Sequence, residues 1–206
     1  MKLVYPRLQF LTLDASPHSH REQARLALEG GVQWIQLRAK NLPEPEWIQT
    51  AQEVAHLCKD FGATFIINDS PIVAYEAEAD GVHLGPHDCS PAEARKILGE
   101  YAIIGVTLNH LNHLDVLKSA RVDYAGVGPV RFTPSKTNLA PVHTDESLKE
   151  LINKAVVPCY AIGGVTALDW AHLSSLGAHG IAVSGAIALA EDPIRATREI
   201  ISALSL

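Results

Sequence analysis

The sequence predicts a single-domain α/β protein, a closed (β/α)8 barrel spanning residues 1–206. Three observations carry that prediction. Eight short apolar runs recur along the 206 residues, each followed by a helical stretch, and no boundary linker interrupts the series. At roughly 150 residues per domain the length calls for one domain. The first turn, Asp14-Ala15-Ser16-Pro17-His18, carries no glycine, whereas an open doubly wound sheet usually has a Gly-rich first turn.

The runs are residues 8–13 (LQFLTL), 34–38 (WIQLR), 64–68 (TFIIN), 81–85 (GVHLG), 103–107 (IIGVT), 124–128 (YAGVG), 159–163 (CYAIG) and 180–184 (GIAVS). Each is short and mostly apolar, as expected of strands covered on both faces in a parallel sheet. Amphipathic stretches lie between them at 21–29, 45–61, 91–98, 145–154, 167–176 and 193–204. In the second, Trp47, Ile48, Ala51, Val54, Ala55 and Cys58 recur at spacings of three and four and so form one buried stripe. Helix starts are signalled by Ser90-Pro91, Thr144-Asp145-Glu146, Thr166 before Ala167, and Asp192-Pro193. The helices after the third and fifth runs have weak signals.

Hydrophobic residues make up 47% and charged residues 19%, a balance too apolar for disorder. Seventeen basic residues against 23 acidic ones give a net charge of −6, which argues against the broad basic face of a nucleic-acid binder. No apolar run approaches the roughly 20 residues of a membrane span. The start, Met1-Lys2-Leu3-Val4-Tyr5-Pro6-Arg7, reads unlike a secretory signal, so a cytoplasmic location is expected. Cys58, Cys89 and Cys159 are odd in number and far apart, which suggests neither a disulfide framework nor a CxxC metal site. Small molecules are the expected partners, and a homo-oligomer stays open.

In parallel βα units all strand C-termini open on one face, so polar residues just after the runs converge whatever their sequence separation. Those positions hold Gln36, Arg38 and Lys40; Asn68 and Asp69; His83 and Asp88; Thr107, Asn109 and His110; and Arg131, Thr133, Ser135 and Lys136. Gly163-Gly164 and Ser184-Gly185 close the last two runs. Each has a plainer reading. Arg38 and Lys40 serve equally as solvated loop cations, Asp69 as an N-cap for the segment at Ser70-Pro71, Asp88 as a cap or turn, and His83 as a satisfied barrel histidine. The segment 133–136 reads as a plain loop, and Gly163-Gly164 as a crowded turn. Their coincidence on one rim is what points to chemistry. Two hard carboxylates without a Cys/His cluster favour Mg2+, which shares itself with ligand phosphates. Glycines in the last two βα loops let phosphate oxygens approach the backbone closely.

Several segments together resemble the thiamine phosphate synthase family. They are Gln36-Leu37-Arg38-Ala39-Lys40, Asn68-Asp69, the stretch 79–88 (ADGVHLGPHD), 123–129 (DYAGVGP), Thr133-Pro134-Ser135-Lys136, 161–165 (AIGGV) and 180–187 (GIAVSGAI). The resemblance runs in order from about Leu11 to Leu204. It implies a (β/α)8 transferase that joins hydroxymethylpyrimidine diphosphate to a thiazole phosphate, releasing pyrophosphate and forming thiamine phosphate. By position, it implies that Asp69 and Asp88 ligate Mg2+ and that Arg38, Lys40, Asn68 and Lys136 contact the pyrophosphate. Gln36 and His83 would lie near the pyrimidine, and Thr107 would replace a serine at the reaction centre. Thr133 and Ser135 would match two hydroxyls near the thiazole phosphate, with Gly164, Ser184 and Gly185 as further donors. The implied catalytic set is Thr107, Lys136, Arg38 and Lys40.

The chain departs from the family at Pro86, where glutamine is frequent, at Ser135 for threonine, and over 137–143. Related barrels that tautomerise the thiazole phosphate use a histidine where Asn109 stands, with His110 following here. A tautomerase-like isomerase and a non-catalytic phosphate-binding barrel are therefore the alternatives. Keeping Arg38, Lys40, Asp69, Asp88 and Lys136 together favours the transferase, because an isomerase has no evident use for a pyrophosphate-binding metal site.

Overall fold

A computed structural model describes residues 5–133 and 140–205. Ser135 and Lys136 lie outside the described residues. Eight parallel strands close on themselves in sequence order, β1 through β8, each hydrogen-bonded to its chain neighbours and β1 to β8. This is the expected TIM-barrel architecture. The strands are β1 (Leu8–Leu11), β2 (Trp34–Leu37), β3 (Thr64–Asn68), β4 (Gly81–Leu84), β5 (Ile103–Leu108), β6 (Tyr124–Val127), β7 (Cys159–Ile162) and β8 (Gly180–Val183).

Around them run α1 (His20–Gly30), α2 (Glu44–Phe61), α3 (Pro71–Glu76), α4 (Pro91–Leu98), α5 (Val116–Ser119), α6 (Asp145–Lys154), α7 (Trp170–Ser175), α8 (Gly185–Ala188) and α9 (Pro193–Leu204). The elements with weak signals are the short ones: α3 has six residues, and α5 is a single turn entered through a 3₁₀ stretch, Leu111–Asp115. The expected helix over 167–176 begins instead as a 3₁₀ turn, Ala167–Asp169. Three of the four predicted caps are in place: the side chains of Ser90, Thr144 and Asp192 accept the N–H groups of Glu93, Ser147 and Arg195, whereas the Thr166 hydroxyl and N–H donate to the Asp169 carboxylate.

Two apolar cores hold the barrel. The larger fills the space between strands and helices, where Ala51, Val54 and Cys58 of α2 pack as the sequence stripe requires. The smaller lies inside the barrel and is built on Trp34, Tyr124 and Tyr160, all fully buried, with ring centroids 5.0–5.7 Å apart. Three large rings fit one layer because the neighbouring strands offer glycine. A Cβ on Gly105 would stand 2.1 Å from the Tyr124 ring. The aromatic plug fills the interior below the strand ends, so the cavity opens at the C-terminal mouth. Among the described residues, no helix is long and apolar enough to cross a membrane.

Candidate active site

The end of β2 delivers buried Gln36, half-buried Arg38 and exposed Lys40 to the mouth. On the adjacent strand Asn68 is buried, and Asp69 follows with φ 72°, in the left-handed region that Asp and Asn tolerate better than most residues. Asp69 is not the helix cap. Ser70 takes that role, accepting the N–H of Val73 at 3.2 Å. The Asp69 carboxylate instead accepts from Lys40 Nζ and abuts Asp88. Asp88 closes a tight turn by accepting the Gly85 N–H at 2.6 Å. Partial desolvation, then the neighbouring Asp69 charge, push the Asp88 carboxyl above the ordinary carboxylate range.

Two carboxylates held together call for a cation, and Lys40 supplies one. Among the described residues no group of three or more His, Cys, Asp and Glu side chains is placed to hold a metal ion. The pair, with Asn68 beside it, instead fits a hard cation that completes its shell with water and ligand oxygens.

Across the mouth, Gly163 (φ 96°) and Gly164 (φ 67°) turn the chain after β7 in conformations that a side chain would strain. Space forbids one as well, since a Cβ on Gly164 would lie 2.9 Å from the Arg131 Cβ. Arg131 stitches this turn down. Its N–H donates to the Gly163 carbonyl at 2.9 Å, and its guanidinium donates to the Gly164 carbonyl at 3.1 Å and to both oxygens of Asp169. Sequence reading placed Arg131 among the ligand-facing polar groups; the structure makes it a brace. Ser184 and Gly185 begin α8 on the next loop, and Thr133 approaches from the loop after β6.

The floor is polar. His83 Nε2 bonds Thr107 Oγ1 at 2.9 Å, and His83 Nδ1 bonds the Tyr124 hydroxyl at 3.0 Å. Beside this relay, Gln36 Nε2 donates to Gln9 Oε1 at 3.4 Å, and both amides approach the Tyr124 hydroxyl, so that Gln9 Nε2 and Gln36 Oε1 are buried without a well-formed hydrogen bond. If both amides are turned over, the pair still presents one donor and one acceptor. Polar atoms left unsatisfied in a buried floor cost stability.

Gln36, Arg38, Lys40, Asn68, Asp69, His83, Thr107, Thr133, Gly164, Ser184 and Gly185 all line one cavity of about 350 Å3. Asp88 borders an adjoining hollow that shares Lys40, Asn68 and Asp69 with it. A barrel whose mouth sets carboxylates and cations opposite a glycine turn belongs with the (β/α)8 enzymes that handle phosphorylated small molecules. The particular family follows from comparison with known proteins. The sequence model described as thiamine monophosphate synthase matches residues 9–187, and the chain belongs to that family.

A thiamine-phosphate synthase of Phocaeicola vulgatus is 42% identical over 200 residues, covering 95% of this chain and 96% of that protein. One from Bacteroides fragilis is 42% identical, covering 95% and 98%. The structure of thiamine phosphate pyrophosphorylase from Pyrococcus furiosus superposes with a TM-score of 0.87 at 32% identity, over 97% of this chain and 95% of that one. A 3-hexulose-6-phosphate synthase at 19% identity (TM-score 0.74) shares the fold.

Sequence reading missed Gln9, Thr12, Asp14, His20 and Tyr124. Gln9 carried a usable signal, a polar residue at an alternating position of an otherwise apolar strand. It lies within β1 and not at a strand end, where βα geometry alone gathers polar residues. Asp14 sits in an unremarkable polar turn and His20 opens α1, and nothing local distinguishes them.

Proposed function

We propose that this chain is a thiamine-phosphate synthase, a transferase joining hydroxymethylpyrimidine diphosphate to a thiazole phosphate with loss of pyrophosphate. The observation that carries the reading is the shared mouth of Lys40, Asp69 and Asp88, with Arg38 and Asn68 beside them. This cluster is suited to a diphosphate leaving group and has no evident use in an isomerase.

The pyrimidine CH2–O bond breaks with its electron pair going to the pyrophosphate oxygen. The thiazole nitrogen lone pair then forms the C–N bond to the cationic methylene. Asp69 and Asp88 would hold Mg2+, which when bound would supply charge neutralisation for the departing diphosphate. Arg38 and Lys40 add positive charge on the same side, and Lys136, outside the described residues, would by the family resemblance contact the same pyrophosphate. The Gln9–Gln36 amide pair offers the donor and acceptor that an aminopyrimidine edge needs. Thr107, hydrogen-bonded to His83 and lining the cavity, would lie at the reaction centre. Thr133, Gly164, Ser184 and Gly185 would receive the thiazole phosphate, with Ser135 joining by position. Holding the two rings in contact supplies much of the acceleration, and the bond-forming step needs no strong general base.

The isomerase alternative requires an acid–base residue at the mouth. His110 is exposed, meets His113 edge to face and does not line the cavity, whereas Asn109 does. The decisive assay supplies purified protein with both substrates and Mg2+ and measures thiamine phosphate and pyrophosphate. Equimolar appearance of the two is expected. Absence of product despite demonstrated binding of both substrates rejects the assignment.

A further inference from the structure

Behind the cation-bearing loop lies a hydrogen-bonded chain that the reaction chemistry does not use. Thr12 Oγ1 is fully buried beyond the end of β1 and accepts the Arg38 backbone N–H at 3.0 Å. The same oxygen lies 2.9 Å from Nδ1 of His20, which is itself buried, and His20 Nε2 lies 3.2 Å from Asp14 Oδ1. The Asp14 carboxylate returns to the loop: Oδ2 accepts the Lys40 N–H at 3.2 Å, and Oδ1 accepts the Asn41 N–H at 3.4 Å.

One arrangement of protons satisfies the whole circuit. Neutral His20 donates from Nε2 to Asp14 and accepts the Thr12 hydroxyl proton at Nδ1, which leaves the Thr12 oxygen to accept from Arg38. Burial favours that neutral imidazole, outweighing the attraction of Asp14, and the nearby Arg38 charge acts in the same direction.

We infer that Asp14 and His20 are positioning residues for pyrophosphate capture: His20, through Thr12, fixes the backbone at Arg38, and Asp14 fixes it directly at Lys40 and Asn41, presetting the two cations before the ligand arrives. The backbone of residues 38–41 belongs to no helix or strand, so these bonds take the place of a ladder in holding it. A binding loop that is already ordered loses less entropy on capture. Neither residue lines the ligand cavity, so each acts through the loop. The inference rests on the pyrophosphate reading of this mouth, and its test is chosen to separate the two.

The probe is inorganic pyrophosphate with excess Mg2+, titrated calorimetrically into the full chain. His20→Phe keeps an aromatic ring but removes both bonds, and Asp14→Ala removes both acceptors. Each is expected to weaken pyrophosphate binding about ten-fold and to raise KM for the diphosphate substrate similarly, while KM for the thiazole phosphate stays within two-fold. Asp14→Asn retains one acceptor oxygen and should fall between. A purely structural role would lower the melting temperature and leave the affinity of the folded molecules unchanged. Folded Asp14→Ala and His20→Phe proteins that bind pyrophosphate within two-fold of the unaltered chain overturn the positioning role. An unaltered chain that binds no pyrophosphate at millimolar concentration overturns the pyrophosphate site and the brace together. Binding without turnover counts against the synthase assignment alone.

Discussion

Asp69 concentrates the design of the mouth in one residue. Its left-handed backbone sets its carboxylate beside Lys40 and Asp88, leaving the capping of α3 to Ser70. Asn tolerates the same backbone, so Asp69→Asn changes charge without forcing the turn. Asp69→Asn and Asp88→Asn should each raise the Mg2+ concentration for half-maximal rate at least about ten-fold and lower turnover. Metal dependence unaltered in both variants would show that these carboxylates hold no cation. Gln9 makes a second prediction at this scale. Gln9→Leu removes half of the amide pair and should raise KM for the pyrimidine substrate about ten-fold by leaving a ligand group unpaired. Equal KM values for the variant and the unaltered chain would remove Gln9 from recognition.

Among the elements, strands were more legible than helices, for a physical reason. A strand covered on both faces is mostly apolar, so Thr64–Asn68 reads directly from composition, and the other seven runs differ from the observed strands by one or two residues at the end. Pro91–Leu98, Asp145–Lys154 and Pro193–Leu204 were legible because their caps and amphipathic faces agree. The one-turn helices α5 and α8 are too short to show a period, and barrel packing fixes them instead. The same divide runs through the site. The rim residues follow from βα geometry alone, whereas the Thr12–His20–Asp14 circuit and the clamp of Arg131 on Asp169 need three dimensions.

That clamp joins the loop after β6 to the start of α7, and it yields a pH prediction. The Arg131 guanidinium holds the Asp169 carboxyl down at about 2 from an ordinary 3.8, helped by the Thr166 N–H donating at 2.8 Å. A depressed carboxylate contributes its stability above the unfolded value and loses it as pH falls toward the folded one. Arg131 is half-exposed, so solvent reduces the contribution to about 1 kcal/mol. Asp169→Asn should therefore melt lower than the unaltered chain at pH 6, and the gap should close as pH falls from about 4 toward 2. A gap constant across that range would show that the ion pair contributes nothing.

At the scale of the whole molecule, the barrel gathers residues from Gln9 to Gly185 around one opening, and that gathering links ligand binding to stability. A ligand bound only by the folded state stabilises it in proportion to the logarithm of its concentration over Kd, about 2.7 kcal/mol at a hundred-fold excess. For a chain of this size that corresponds to a rise in melting temperature of about 5–10 °C. Pyrophosphate with Mg2+ should produce such a rise, and neither component alone should match it.

The double variant Asp69→Asn with Asp88→Asn separates ligand linkage from intrinsic stability. Its ligand-free form should melt close to the unaltered chain, because relief of the disfavoured Asp88 charge offsets loss of the partly exposed Lys40–Asp69 ion pair. Its rise with Mg2+ and pyrophosphate should nevertheless collapse. A site that holds two like charges together is less stable empty than it could be, and this cost persists where function needs it. If the double variant kept the full ligand-induced rise, the acidic pair would be a structural accident of two neighbouring turns.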